Sequence, residues 1–376
     1  HICINVSILK KFLIYSLFLV SYISSSQTVR KYSNEFMSIG VDARSMGMSN
    51  AVTSHTNDVT AGYWNPAGLL ALEDSEMSLM HASYFANIAQ YDYAGFAMPI
   101  DNESAFGISI IRFGVDDIMN TTQLIDSQGN IDYNRISLFS AADYGVTFSY
   151  ARHAKLDGFT YGVNAKILRR IIGDFATSWG FGFDIGAQFK TQNDWQFGVM
   201  IRDITTTYNV WAINEEEYNK IKDAVPGENQ EMPEKTEITM PKAYVGVSKK
   251  FIHRYDYSFL VSANLNMQFA QTNDIVSTSF VSIDPAVGLE VGYNDLVFLR
   301  GGVGNFQNII TIDNTNKLSF QPNFGVGFKY KGIAVKQGDD IRAGFKVTWL
   351  FHIVSVKVTF EDKELRYVVK IFGIQI

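Results

Sequence analysis

The chain is poor in the residues that would support most soluble chemistries. It has one cysteine, Cys3, among 376 residues. Disulfide scaffolds, cysteine-zinc sites and cysteine nucleophiles therefore drop out. Only 7 prolines interrupt it, which leaves long stretches free to form strands. Basic charge is not in excess: the formal net charge is −6, with no Lys/Arg stripe, so nucleic acid is not an expected partner. The 6 histidines are scattered singly, without metal-ligand spacing. There is no Gly-x-Ser-x-Gly elbow and no phosphate loop. No catalytic residue, cofactor or metal is expected, and the chain reads as a non-enzyme.

The only apolar run near spanning character lies at the N-terminus. Lys10 and Lys11 precede an apolar run from Phe12 to Ile23, and Ser24, Ser25 and Ser26 follow. That order predicts a cleaved secretory signal over residues 1–26. The run is short of the about 20 apolar residues a helical span needs. Beginning with His rather than Met, the sequence is expected to be an incomplete gene product.

What is present is aromatic residues, glycine and alternation. Phe numbers 28, Tyr 19 and Gly 29. In Trp179–Lys190, Trp179, Phe181, Phe183, Ile185, Ala187 and Phe189 share one face, and Gly180, Gly182, Asp184, Gly186, Gln188 and Lys190 share the other. The same period of two recurs at 320–330, 257–268, 144–150, 159–167, 195–201, 243–247, 285–293 and 354–360. Such segments, about 9–12 residues long, suit strands that cross a bilayer at a tilt. Because only helices and closed barrels satisfy every backbone group in lipid, the fold expected is all-β: a transmembrane antiparallel β-barrel of about fourteen strands. A soluble β-sandwich is the competing reading. Its strands are shorter, and its large apolar faces would need a second sheet.

Three polar connections stand out, at 114–143, 205–237 and 305–317. Turns such as Asn193-Asp194 and Asn294-Asp295 are short. Long loops at one end and short turns at the other match the two faces of an outer-membrane barrel, so a Gram-negative outer membrane is the expected location and the lipid bilayer an expected partner. Glu215, Glu216 and Glu217 make the middle loop acidic; it is read as a partner surface or as a plainly solvated loop, with a short helix possible over 215–224. Residues 27–76 lack sustained alternation and are expected to form a hatch in or beneath the barrel at 77–360. The last strand is either 352–360 or part of 361–376.

Within the hatch lies a recognisable block: Ser38-Ile39-Gly40, Asp42-Ala43-Arg44-Ser45-Met46-Gly47, Ala51-Val52, Asn57-Asp58 and Tyr63-Trp64-Asn65-Pro66-Ala67-Gly68-Leu69. With Ile201-Arg202-Asp203-Ile204-Thr205-Thr206-Thr207 further on, it resembles the PorV/PorQ family of the Bacteroidetes, whose barrels are similar to those of the FadL family. The resemblance covers most of the chain after the signal, though 336–349 fits poorly. It implies fourteen strands, an N-terminal hatch and a tie to the type IX secretion system, with a larger outer-membrane barrel or translocon and exported proteins as partners. The Asn-Pro-Ala triplet is the part shared with FadL-type transporters, which keeps a second function open: transport of fatty acids or other hydrophobic small molecules, with lipid or detergent in the lumen. A plugged scaffold in another complex is a third.

The residues singled out follow from this. Pro66 fixes φ and donates no hydrogen bond, and Asn65 can bond its own backbone in a turn. Trp64, Asn65, Pro66, Ala67 and Gly68 are therefore expected to seat the hatch on the wall or to gate a ligand. Asp42, Arg44, Arg202 and Asp203 are expected hatch or lumen charges. Arg112, Arg169, Arg170 and Arg300 are further lumen or rim candidates. Paired glycines such as Gly180/Gly182 and Gly325/Gly327 are expected to be small lumen-facing residues.

Overall fold

The computed structural model describes residues 33–125, 128–224, 232–253, 256–311, 313, 315–334, 342–350 and 353–360. The signal segment and residues 361–376 lie outside the described residues. No described helix is long and apolar enough to cross a membrane.

Seventeen strands form one antiparallel sheet. They are β1 Ser75–Tyr84, β2 Ala89–Asp101, β3 Ser104–Asn120, β4 Ser137–His153, β5 Phe159–Ile172 and β6 Ala176–Lys190. Next come β7 Trp195–Arg202, β8 Thr207–Ile213, β9 Thr236–Thr239, β10 Lys242–His253, β11 Tyr257–Gln268 and β12 Val276–Ser277. The last are β13 Ser282–Tyr293, β14 Val297–Ile310, β15 Asn316–Ala334, β16 Arg342–Leu350 and β17 Ile353–Phe360.

The pairing runs from β1 through β7, on to β10 and β11, then through β13 to β17. β17 pairs in turn with β1, Ser75 opposite Phe360 and Ala82 opposite Ile353. These fourteen strands return on themselves, so no edge is left bare. The fold is a transmembrane antiparallel β-barrel. β8, β9 and β12 extend it at one end.

Alternation decides which face is which. Along β6, Trp179, Phe181, Phe183 and Ile185 point outward and are 50%, 57%, 52% and 40% exposed, while Ser178 and Asp184 are buried inside. The same holds around the ring: Phe197, Val261, Leu289, Leu299, Phe324 and Phe328 all lie outward. So much continuous exposed apolar surface belongs in lipid rather than in water. The inside of the wall carries Asn164, Lys166, Asn209, Ser248, Asn264, Glu290 and Arg300, all buried.

The expected loops shrink in the structure. β3 continues to Asn120 and β4 starts at Ser137, within the stretch 114–143. β8 lies inside 205–237 and pairs with β9, which begins there and runs on to Thr239, and β14 and β15 narrow 305–317 to the few residues between Ile310 and Asn316. On β8 the alternation persists, with Tyr208 and Val210 exposed opposite Phe181 and Trp179 of β6. Glu215–Ala224 is a helix. The segment 269–281, not singled out from the sequence, is another connection at the same end. At the opposite end the turns are tight. Asn294 and Asp295 both have positive φ, 52° each, as a two-residue hairpin turn demands. The stretch 336–349 that fitted poorly contains most of β16, and Ile353–Phe360 is the strand that closes on β1.

Residues 33–74 lie inside. They form short turns of helix at Glu35–Ser38, Ala43–Gly47, Ala61–Trp64 and Pro66–Ala71. Nearly every residue from Gly40 to Leu69 is buried. The core of the protein is thus the contact between this hatch and the inner wall.

Candidate functional site: the hatch in the barrel lumen

Small residues on the wall let the hatch backbone come close. A Cβ on Gly186 would overlap the side chain of Asn65, and one on Gly162 would lie 2.7 Å from the Pro66 carbonyl carbon. One on Gly198 would run into Thr53 and one on Gly302 would lie 2.5 Å from the Met48 carbonyl carbon. A Cβ on Gly325 would lie 3.5 Å from the Gly47 Cα. Gly180 and Gly182 face inward too, but against Asn209 and Thr207 of the wall.

Asn65 is fully buried. Its Oδ1 accepts from Ala67 N at 3.3 Å, closing the turn around Pro66. Its Nδ2 donates to Thr53 O at 3.0 Å within the hatch, and to Ala187 O at 3.0 Å and Val199 O at 3.3 Å on the wall. Trp64 donates its indole N–H to Val41 O at 3.1 Å. Ala67 and Gly68 are buried beside it, with Gly68 against the Thr56 carbonyl. The triplet is a clip between two parts of the hatch and strands β6 and β7.

Charges meet in buried sets around the ring. Asp42 accepts from Lys357 Nζ at 2.8 Å and from Ser355 Oγ at 2.6 Å, and Asp58 shares the same lysine. Arg44 donates to Glu290 at 2.8 and 3.1 Å, and Arg300 reaches the same carboxylate at 2.6 Å. Lys242 of β10 binds Glu35 at 2.9 Å. Arg202 donates to Met37 O at 3.1 Å and Tyr63 O at 2.9 Å, and its guanidinium lies 4.2 Å from the Tyr63 ring centre. Behind it, Lys166 bridges Asp184 and Asp203 at 2.6 Å each. Arg170 also faces inward, on Asp143 and Glu237. Arg112 and Arg169 do not: they project from the outer wall, Arg112 towards Asp116 and Asp92 and Arg169 over Trp179. Strand parity separates them from Arg170, since successive side chains on β5 point to opposite faces.

Burial shifts the titrations of the hatch. Burial alone would push the Asp42 carboxyl up, yet Lys357 beside it holds it below its usual value. Burial would lower Arg44, and Glu290 outweighs it, so the guanidinium stays charged. His55 has no such partner. Burial first, and then Arg44, push it down to about 3. Neither of its ring nitrogens is hydrogen-bonded among the described residues.

The lumen is not uniformly polar. On the side of β1–β3, Phe36, Met37, Val41, Tyr63 and Trp64 of the hatch pack against Met80, Tyr91, Tyr93, Ile111 and Leu168. This cluster faces the long-loop end. Towards the short-turn end, a cavity of about 310 Å³ separates the hatch from β4–β7, bordered by His55, Asn57, Leu70, Thr160, Gln188 and Lys190. The aromatic cluster was not singled out from the sequence. Its signal was the run Tyr84, Tyr91, Tyr93 at inward parity. Glu215, Glu216 and Glu217 open the long-loop helix, where the backbone N–H groups of Glu216 and Glu217 are capped by Asn214. No cluster of three or more potential metal ligands occurs among the described residues.

No protein-family model matches the sequence, and no curated protein does. Solved structures do. A FadL homologue of Pseudomonas aeruginosa is 13% identical, covers 85% of this chain and 98% of its own, and gives a TM-score of 0.47. The toluene transporter TodX of Pseudomonas putida is 12% identical, covers 89% of this chain and 98% of its own, and gives 0.50. A second structure of TodX gives the same score with 86% and 99% covered. At such identities the likeness is one of fold: this chain shares the barrel fold of TodX.

Proposed function

We propose that this barrel sits in a Gram-negative outer membrane and passes small hydrophobic molecules, with the N-terminal hatch as its gate. The observation that carries the reading is the aromatic-rich apolar cluster of Phe36, Met37, Val41, Tyr63 and Trp64 against β1–β3 and Leu168, at the long-loop end of the lumen. An apolar molecule entering from the long-loop end would find its first partners there. Displacing Phe36 and Met37 would open the way past the hatch. The cavity at the short-turn end is the compartment on the far side. In this reading Asn65, Pro66, Ala67, Trp64 and Gly68 are the fixed hinge. Asp42, Arg44, Arg202 and Asp203 set the energy needed to move what lies around it. The FadL-like fold supports the reading, and toluene transport is the named role of TodX. Nothing in it calls for catalysis.

The test uses a chain whose only cysteine is Cys3. Ser54 of the hatch and Ser248 of β10 have hydroxyls 2.9 Å apart. Ser54→Cys with Ser248→Cys would tie the hatch to the wall. In proteoliposomes, passage of a small aromatic hydrocarbon should stop in the oxidised form and return on reduction. Equal passage in both forms removes the gate.

A second reading is favoured by one observation, the hatch block of residues 32–69 that resembles PorV/PorQ. It makes the chain a docking barrel of a protein-secretion complex, its partners a larger barrel and exported proteins, with Glu215, Glu216 and Glu217 on the partner-facing side. Purification from gently solubilised outer membranes decides it. A near-stoichiometric larger barrel supports secretion, and the barrel alone removes that role.

A further inference from the structure

The outer wall carries a depression that the lumen does not explain. It has a volume of about 400 Å³ and lies across β4–β6, lined by Phe148, Tyr150, Val163, Phe183, Ile185 and Ile204. These side chains are in register. Phe148 pairs with Ala165 and Ala165 with Phe183, while Tyr150 pairs with Val163 and Val163 with Ile185. Ile204 comes from the break between β7 and β8, where it closes one side. On a flat sheet the outward side chains would fill such a space. Here Ala165 is the small residue at its centre.

Four to six residues along the same three strands, towards the long-loop end, is a second outward row. Tyr144 pairs with Arg169, and Arg169 with Trp179. The Arg169 guanidinium lies 4.8 Å from the Trp179 ring centre. Among the described residues Arg169 has no ion pair. Its neighbour Arg112, one strand further, is engaged by Asp92 and Asp116. At a strand rise of about 3.3 Å per residue the row lies about 13–20 Å from the depression. For strands tilted as in such barrels that is about 10–15 Å along the membrane normal. Tyr and Trp mark the boundary of the apolar belt, and a guanidinium there matches a phosphate.

We propose that this wall binds one phosphate-bearing membrane lipid, its headgroup on Arg169 and an acyl chain in the depression across β4–β6. Membrane lipid supplies both chemistries in the required order: an anion at the boundary and a hydrocarbon chain below it. The site faces away from the lumen and stands independently of what the barrel passes.

Native mass spectrometry of the detergent-purified barrel tests it with three probes: dioleoyl phosphatidic acid, dioleoylglycerol and inorganic phosphate. One phosphatidic acid should be retained, dioleoylglycerol should bind at least tenfold more weakly, and inorganic phosphate should not displace the lipid. Arg169→Gln should weaken retention about tenfold. Val163→Trp, which fills the depression, should do the same without touching the cation. Folding of each variant is checked by its heat-dependent migration on gels, and Ala165→Leu replaces Val163→Trp if that chain does not fold. Equal retention of dioleoylglycerol overturns the headgroup assignment. Displacement by inorganic phosphate turns the site into one for the free anion. Unchanged retention in both Arg169→Gln and the filled variant overturns the proposal outright.

Discussion

Single side chains hold the hatch, and each can be tested alone. Lys357 serves two hatch carboxylates, Asp42 and Asp58. Lys357→Met leaves both buried without their cation, a loss of about 3–5 kcal/mol by the usual cost of orphaning a buried charge. The expected result is protease cleavage within residues 40–60 while the barrel still resists. Gly186→Val should act by volume instead, since its side chain would occupy the place of Asn65; overpacking of this kind costs about 1–3 kcal/mol. His55 sets a pH limit. Unfolded, its ring takes a proton near its ordinary 6.5; docked, it does so only at about 3. Its contribution is therefore complete above 6.5 and declines as pH falls towards 3, by about 1.4 kcal/mol per pH unit. Asp42 adds to this at lower pH. Its depressed value gives stability that is present above 3.8 and lost as pH falls through the docked value. The protection factors of residues 50–60, taken relative to intrinsic exchange at each pH, should fall between pH 7 and 5, and His55→Phe should flatten that slope. An unaltered slope in the variant would assign the effect elsewhere.

At the scale of elements, β6 changes partner. Its residues 185–190 pair with β7 and its residues 176–181 with β8. Between them Asp203 and Thr206 take positive φ, 53° and 60°, and Asp203 N donates to Asp184 at 2.9 Å. The neighbouring strand breaks at the same level, where Met240 and Pro241 separate β9 from β10; Pro241 has no N–H to give the ladder. Lys166 pins this double break through Asp184 and Asp203. Lys166→Met should loosen it locally, with faster exchange in 203–207 and little change in β1–β3. The strands themselves were legible from alternation because the lipid face is apolar and the inner face is not. Fourteen was legible as a count. The breaks were not, since 205–237 read as one polar loop, whereas β8 lies within that stretch and β9 begins in it. Asn65, Pro66 and Ala67 were legible as a bend, Asp42 and Arg44 as charges needing partners. Which partners could not be read, because Lys357 and Glu290 lie 315 and 246 residues away. Arg169 and Arg170 show the limit of reading by type: adjacent arginines went to opposite faces.

For the whole molecule, a hatch that touches every one of the fourteen strands of the ring, β1 and β11 included, should leave no open channel at its level. In planar bilayers the intact protein should hold a closed baseline. Deletion of residues 33–72 should give stepwise conductance. Open conductance from the intact protein would contradict the docking described above. The hatch also crosses the join between β1 and β17 from within. Val59 N donates to Glu76 of β1 at 3.1 Å, while Asp42 and Asp58 hold Lys357 of β17. β1 and β17 are the first and last strands of the ring to be made. The hatch carboxylates Asp42 and Asp58 reach Lys357 only once β17 is in place. Shutting the cylinder and finishing the seat of its lid are therefore coupled: a chain lacking β17 loses both the strand that closes the wall on β1 and the cation that holds Asp42 and Asp58.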